Sequence, residues 1–298
     1  MKVAEQDITK VYVVESLRGG DLSTGSIILE EIKSKNSQVK TSYQNVSDQS
    51  QLMSHFDLIA REASESDGIL LFIEVHGSMD GIDAGMDKVP WGELTDYLKR
   101  INEACAMGLV VVFSCCYGVY YFRETSITGR APYYVMFGVD KSIYENRLLE
   151  TNKILVESVL KNHPLDKIVD NCNSYLHLHD INLTCLEAGD LFVNAFHNYI
   201  TNECKPENLD DKAKDCYKLL KQSTQPPYMP FSDFKVLYIR FILNRENNED
   251  KYNQIRDRFL MTDIDGELYQ RFHVDFDEMY EKTNMEDKLQ KVLKSYGA

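Results

Sequence analysis

Two stretches of this sequence leave almost no room for polar side chains, Gly68–Val75 (GILLFIEV) and Gly108–Ser114 (GLVVVFS). A strand with one face in water alternates apolar and polar residues. A near-continuous apolar strand therefore belongs to a sheet covered on both faces, as parallel sheets are. Between the two runs lies Pro90–Ala104, where Trp91, Leu94, Leu98 and Ile101 form one apolar stripe and Pro90 suits a first helical turn. Strand, helix, strand is the order of a right-handed crossover. The two runs are expected to be parallel and close together in one sheet.

The flanking segments fit the same plan. Thr9–Glu15 (TKVYVVE) reads as a first strand, followed by the loop SLRGGDLSTG and a helix through Ser26–Ser34 with Ile28, Leu29 and Ile32 at helical spacing. A short polar strand is expected near Val39–Tyr43. Asp48 and Gln51 have the spacing of a capping box ahead of Leu52, Phe56, Ile59 and Ala63 on one helical face. Tyr133–Gly138 (YYVMFG) predicts another strand, and about Glu145 to Lys161 a helix. This alternation gives an α/β domain with a mostly parallel central sheet over residues 1–200. Beyond it, Lys205–Lys214 is polar and QSTQPPYMP (Gln222–Pro230) reads as a rigid connecting loop. FSDFKVLYIRFILN and DKLQKVLK are helical in pattern, so residues 201–298 are expected to form a helical C-terminal region where a partner protein would bind.

Charge and cysteine content narrow the function. The formal charge of −14 repels nucleic acid and anionic lipid, which leaves a protein or peptide as the expected partner. Seven cysteines, an odd number without framework spacing, point to reduced thiols in the cytoplasm. The opening MKVAEQDITK lacks a basic segment followed by an apolar core, so no signal peptide is expected, and no apolar run approaches the roughly 18 residues of a membrane helix. His177-Leu178-His179-Asp180 places two imidazoles on alternate residues, but no Cys or acidic cluster with ligand spacing accompanies them. Asp263-Ile264-Asp265-Gly266 resembles the start of a calcium loop, yet Phe272 stands where the twelfth-position glutamate belongs. No phosphate-cradling glycine loop is present. Neither a cofactor nor a metal is expected.

The chemistry is expected where the two apolar runs end. The first runs into Glu74-Val75-His76-Gly77 and the second into Ser114-Cys115-Cys116-Tyr117-Gly118. Carboxyl ends of parallel strands are where α/β proteins place ligands and reacting groups. A thiol that attacks an amide needs a base for its proton and donors for the oxyanion. Either residue alone is ordinary, since a strand-end cysteine is usually a small buried hydrophobe. A His and a Cys at matching strand ends, both with glycine neighbours, reverse those odds.

With these residues in hand, the chain resembles the caspase/legumain superfamily of cysteine peptidases, clan CD, and particularly its bacterial-type members, over roughly residues 8–200. The likeness rests on apolar strand–His76–Gly77, apolar strand–Cys115–Cys116–Tyr117–Gly118, and His before Cys. MDGI (Met79–Ile82), the VPWGELTDYLKRIN helix and the APYYVMFG strand add to it. Laid on the caspase pattern Q-A-C-x-G, Ser114 replaces the Gln, Cys115 takes the small-residue slot and Cys116 takes the nucleophile position. The resemblance implies a caspase-like three-layer sandwich and an endopeptidase in which His76 is general base and acid. It further implies that backbone N–H groups of Gly77 and Cys116 hold the oxyanion. It requires no third carboxylate. Glu74 stands two residues before His76 on the same strand face, to orient the site or to pair within the core. Arg18, in the loop after the first strand, stands where caspases bind an acidic substrate side chain. Relatives cleave after Asp, Arg, Lys or Asn, so the preferred residue stays open. Defence or cell death is the setting that bacterial relatives suggest. The alternative is a catalytically silent module of the same fold that binds or regulates.

Overall fold

The computed structural model describes residues 1–204, 206–223, 228–272 and 276–281. They divide into two compact units, Met1–Gly189 and Asp190–Ala298. The first unit opens on a small ribbon, β1 (Lys2–Val3) and β2 (Gln6–Asp7). It continues through β3 (Lys10–Ser16), α1 (Thr24–Lys35), β4 (Lys40–Asn45), α2 (Gln49–Glu62) and β5 (Ile69–Val75). A hairpin of β6 (Gly81–Ala84) and β7 (Asp87–Pro90) leads into α3 (Trp91–Ala104), then β8 (Leu109–Ser114) and a 3-10 helix at Gly118–Glu124. The unit closes with β9 (Val135–Val139), α4 (Glu145–Leu160), α5 (Leu165–Leu176) and β10 (Leu183–Glu187).

Six strands make the central sheet in the order β10-β9-β8-β5-β3-β4, all parallel except β10, which runs antiparallel to β9. The two apolar runs are thus adjacent parallel strands, with Phe72 opposite Val112 and Glu74 opposite Ser114. Every residue of both is buried, which is why neither alternates. The polar strand KTSYQN is β4, on the sheet edge, where unpaired backbone faces solvent and apolar residues would invite aggregation. α2 and α3 cover one face, packing Leu52, Phe56, Trp91 and Leu98 with Leu71, Val111 and Phe113. The other face meets α1, α4 and α5, which gives three layers.

Local chemistry accounts for the element boundaries. Asp48 caps α2 by accepting the Gln51 N–H at 2.8 Å, while the Gln51 amide reaches back to the Ser47 N–H at 3.2 Å rather than to the cap residue. Pro90 is the N-cap of α3 rather than part of its first turn, because it is already paired with Gly81 as the last residue of β7. The hairpin that Pro90 closes carries no sequence signal: its strands are four residues each and mix Asp and Lys with the apolar positions. Gly85 turns it at φ +63°, with a Cβ there only 1.8 Å from the Ser47 carbonyl oxygen.

The second unit is helical. α6 (Ala188–Asn198) begins just before the boundary, and α7 (Pro206–Lys221), α8 (Phe231–Leu243), α9 (Arg245–Phe259), α10 (Gly266–Arg271) and α11 (Phe276–Glu281) follow. Phe192, Phe196, Tyr252 and Phe259 pack together in it with centroid separations of 5.1 to 6.5 Å. FSDFKVLYIRFILN forms α8, whereas the polar stretch from Lys205 lies largely within α7. The segment DKLQKVLK falls outside the described residues. Asp265 serves as a helix cap, accepting the Glu267 N–H at the start of α10. Among the described residues no helix is long and apolar enough to cross a membrane.

Candidate active site

Strand alternation decides which side chains meet at the carboxyl ends of β5 and β8. Val75 and Cys115 point into the apolar core under α2 and α3. Glu74 and His76 on one chain segment, Ser114 and Cys116 on the other, therefore share the opposite face. Glu15 at the end of β3 stands in register with Glu74. The result is a buried polar row of Glu15, Glu74 and Ser114 with His76 and Cys116 just beyond it. Helices α1 and α4 satisfy this row. Thr24 donates to Glu74 at 2.7 Å, Asn152 donates to Glu74 at 3.1 Å and also to the Ser114 hydroxyl, and the Gly25 N–H donates to Glu15 at 2.8 Å. Glu74 is fully enclosed, and burial pushes its carboxyl up to about 7 despite these donors.

His76 and Cys116 line one cavity of about 70 Å³. No hydrogen bond joins the ring to the thiol. Instead His76 Nε2 meets Asp21 Oδ2 at 2.8 Å, and the same Asp21 oxygen accepts the Arg18 backbone N–H at 2.8 Å. The bond to His76, followed by that from Arg18, holds the Asp21 carboxyl below its ordinary range. An ionised carboxylate only accepts, so Nε2 carries the proton and Nδ1 is the ring's basic nitrogen. The Cys116 sulfur accepts the Ile143 N–H at 3.4 Å and lies 3.5 Å from the Ile143 carbonyl and 3.7 Å from the Ser142 hydroxyl. Cys115 is different: it is buried, and desolvation raises its thiol well above the ordinary range. Of the two, only Cys116 is partly open to solvent.

The two strand ends touch. A Cβ on Gly77 would sit 2.2 Å from the Cys116 carbonyl oxygen and 2.8 Å from Cys115 Sγ, so only glycine lets them come this close. Gly118 serves packing, not an approaching ligand, because a Cβ there would meet Phe113 at 2.7 Å. Gly77 forms an isolated bridge with Ile82, in which the flanking His76 carbonyl and Ser78 N–H carry the bonds. The Gly77 N–H therefore faces away from β6. Neither it nor the Cys116 N–H meets a backbone acceptor among the described residues. Tyr117, directly after Cys116, is held at φ 59° and gives its N–H to Lys141 at 3.2 Å, fixing the cysteine loop to the loop before α4.

Arg18 is placed elsewhere. Its guanidinium pairs with Asp83 at 2.9 Å, where Lys88 also binds at 2.6 Å, and Arg18 does not line the cavity of His76 and Cys116. The same loop contributes Asp21 instead. An acid in a glycine-rich loop after a first strand was its one visible signal. The Ile143 contact has none, since it is made by backbone. His177 and His179 lie together on one 3-10 turn after α5, and the described residues contain no group of three or more His, Cys, Asp or Glu placed to hold a metal. No protein-family model matches this chain, and no curated protein sequence matches it.

Proposed function

We propose that this chain is a caspase-like cysteine endopeptidase. The observation that carries the proposal is the shared cavity of His76 and Cys116 at the carboxyl ends of two adjacent parallel strands. Proton transfer from the Cys116 thiol to His76 Nδ1 yields a thiolate, aided by the Ile143 N–H already directed at the sulfur. The thiolate adds to the substrate carbonyl carbon, and the oxyanion is held by the Gly77 and Cys116 N–H groups. The C–N bond breaks as His76 returns its proton to the leaving amine. Water then attacks the Cys116 thioester, giving a proton to His76. The acid product leaves and the thiol is restored. Asp21 keeps Nε2–H in place and balances the protonated ring, as a positioning residue. The sulfur and ring close to hydrogen-bond distance when substrate enters, a tightening common in such sites.

The test compares wild type with Cys116→Ala and Cys115→Ala on a peptide library. Cleavage abolished in the first and largely kept in the second is the expected result. Equal loss in both, or full activity in Cys116→Ala, sinks the assignment. Inactivity of wild type on every peptide favours a silent module of the same fold.

A further inference from the structure

The cavity beside Cys116 is acidic as well as reactive. We propose that it receives the cationic side chain, Lys or Arg, of the substrate residue whose carbonyl Cys116 attacks; this rests on the peptidase reading above. Three carboxylates line the cavity with the thiol and the ring, Asp21, Glu74 and Glu145, and no Lys or Arg does. They occupy different depths. Glu74 is the enclosed floor, while Glu145, the first residue of α4, is exposed at the rim with one oxygen on the Leu22 N–H at 3.2 Å. Between them Leu17 and Leu148 supply apolar wall, which suits the methylene stem of a long basic side chain.

An acidic side chain entering this cavity meets the ionised Asp21 and Glu145 with no Lys or Arg to pair with it. Like charges in a partly desolvated site are repelled strongly enough to exclude a ligand. The loop cation that would have received such an acid, Arg18, is occupied by Asp83 outside the cavity. A cation entering instead brings Glu74 the counter-charge that its neutral donors, Thr24 and Asn152, do not supply. Burial now disfavours the charged form of Glu74, so a bound cation also draws its carboxyl back toward ionisation.

The experiment uses the full chain and fluorogenic peptides that differ only at the scissile residue. Release after Arg and Lys at a kcat/KM at least about a hundredfold above release after Asp or Glu is expected. Preferred release after Asp, Glu, Asn or an apolar residue overturns the cation pocket and leaves the peptidase reading standing. No release after any residue overturns the peptidase reading. Binding to Cys116→Ala then judges the pocket without chemistry, by anisotropy of labelled peptides carrying Arg, Gln or Asp at that residue. Arg peptides bind tightest if the pocket is as described, and equal affinity for Arg and Asp refutes it. Glu74→Gln disturbs a buried network, so the rim variant Glu145→Lys carries the side-chain test. It is expected to cut the Arg-over-Gln preference about tenfold, and an unchanged preference counts against the proposal.

Discussion

At the scale of single residues, Asp21, Glu74 and Cys116 each answer to their surroundings in a measurable way. Asp21 is partly exposed, so Asp21→Asn should leave the melting temperature nearly unchanged while lowering kcat about tenfold or more. The protonated ring loses its counter-charge in that variant, so the acidic limb of the rate profile, where the base becomes neutral, is expected at lower pH. A profile unmoved from wild type would show that Asp21 does not act through His76. Glu74 makes the opposite kind of statement, about stability. Its folded carboxyl titrates at about 7 because it is buried, well above an unfolded Glu. Between the two values the folded protein holds a proton that the unfolded chain has released. Stability therefore falls as pH rises through that window. Glu74→Gln removes this slope, so its melting temperature relative to wild type should improve by on the order of 5 °C between pH 5 and pH 8. Melting curves of both proteins at the two pH values check it. A parallel shift of both would mean that Glu74 is not the group responsible.

At the scale of elements, the site depends on how closely β5 and β8 end together. Gly77→Ala must push its new methyl against the Cys116 carbonyl oxygen, 2.2 Å away, and backbone cannot yield cheaply there. A displacement of about 1 Å at a reacting group costs on the order of a hundredfold in rate, so Gly77→Ala is expected to lose that much in kcat/KM even where it folds. Helix α3, which joins the two strands, is seated by Trp91. Its ring lies edge-on to Phe113 of β8 at 5.3 Å and to Tyr121 at 6.1 Å. Trp91→Ala should cost about 3–5 kcal/mol in urea unfolding. The periodicity of β3, α1, α2, β5, α3, β8, β9 and α4 could be read in the sequence, because each is long and amphipathic or wholly apolar. The β6–β7 hairpin and β10 carry no such pattern, because short or mixed segments take their form from neighbours already in place, whereas α5 does carry one, with Ile168, Cys172 and Leu176 at helical spacing.

At the scale of the whole molecule, 47 acidic against 33 basic residues give the chain a net negative field. Such a field steers cations inward and weakens as salt shortens its reach. For an Arg-containing peptide, kcat/KM should fall several-fold between about 0.05 M and 0.5 M salt, whereas a neutral peptide should show little change. Initial rates across that range decide it. A salt response equal for both peptides would place the selectivity in the cavity walls alone.

The sequence by itself determined the layered α/β plan, the parallel pairing of β5 with β8, and the positions of His76 and Cys116 at their ends. Those follow from periodicity and chain order, which are properties of neighbouring residues. Tertiary structure alone decided what surrounds the pair. Asp21 reaches His76 from the loop after β3, Ile143 reaches the thiol from the loop before α4, and Arg18 turns outward to Asp83. None of these contacts is periodic. Each joins segments distant along the chain, and only the closed sheet brings them within a few ångströms.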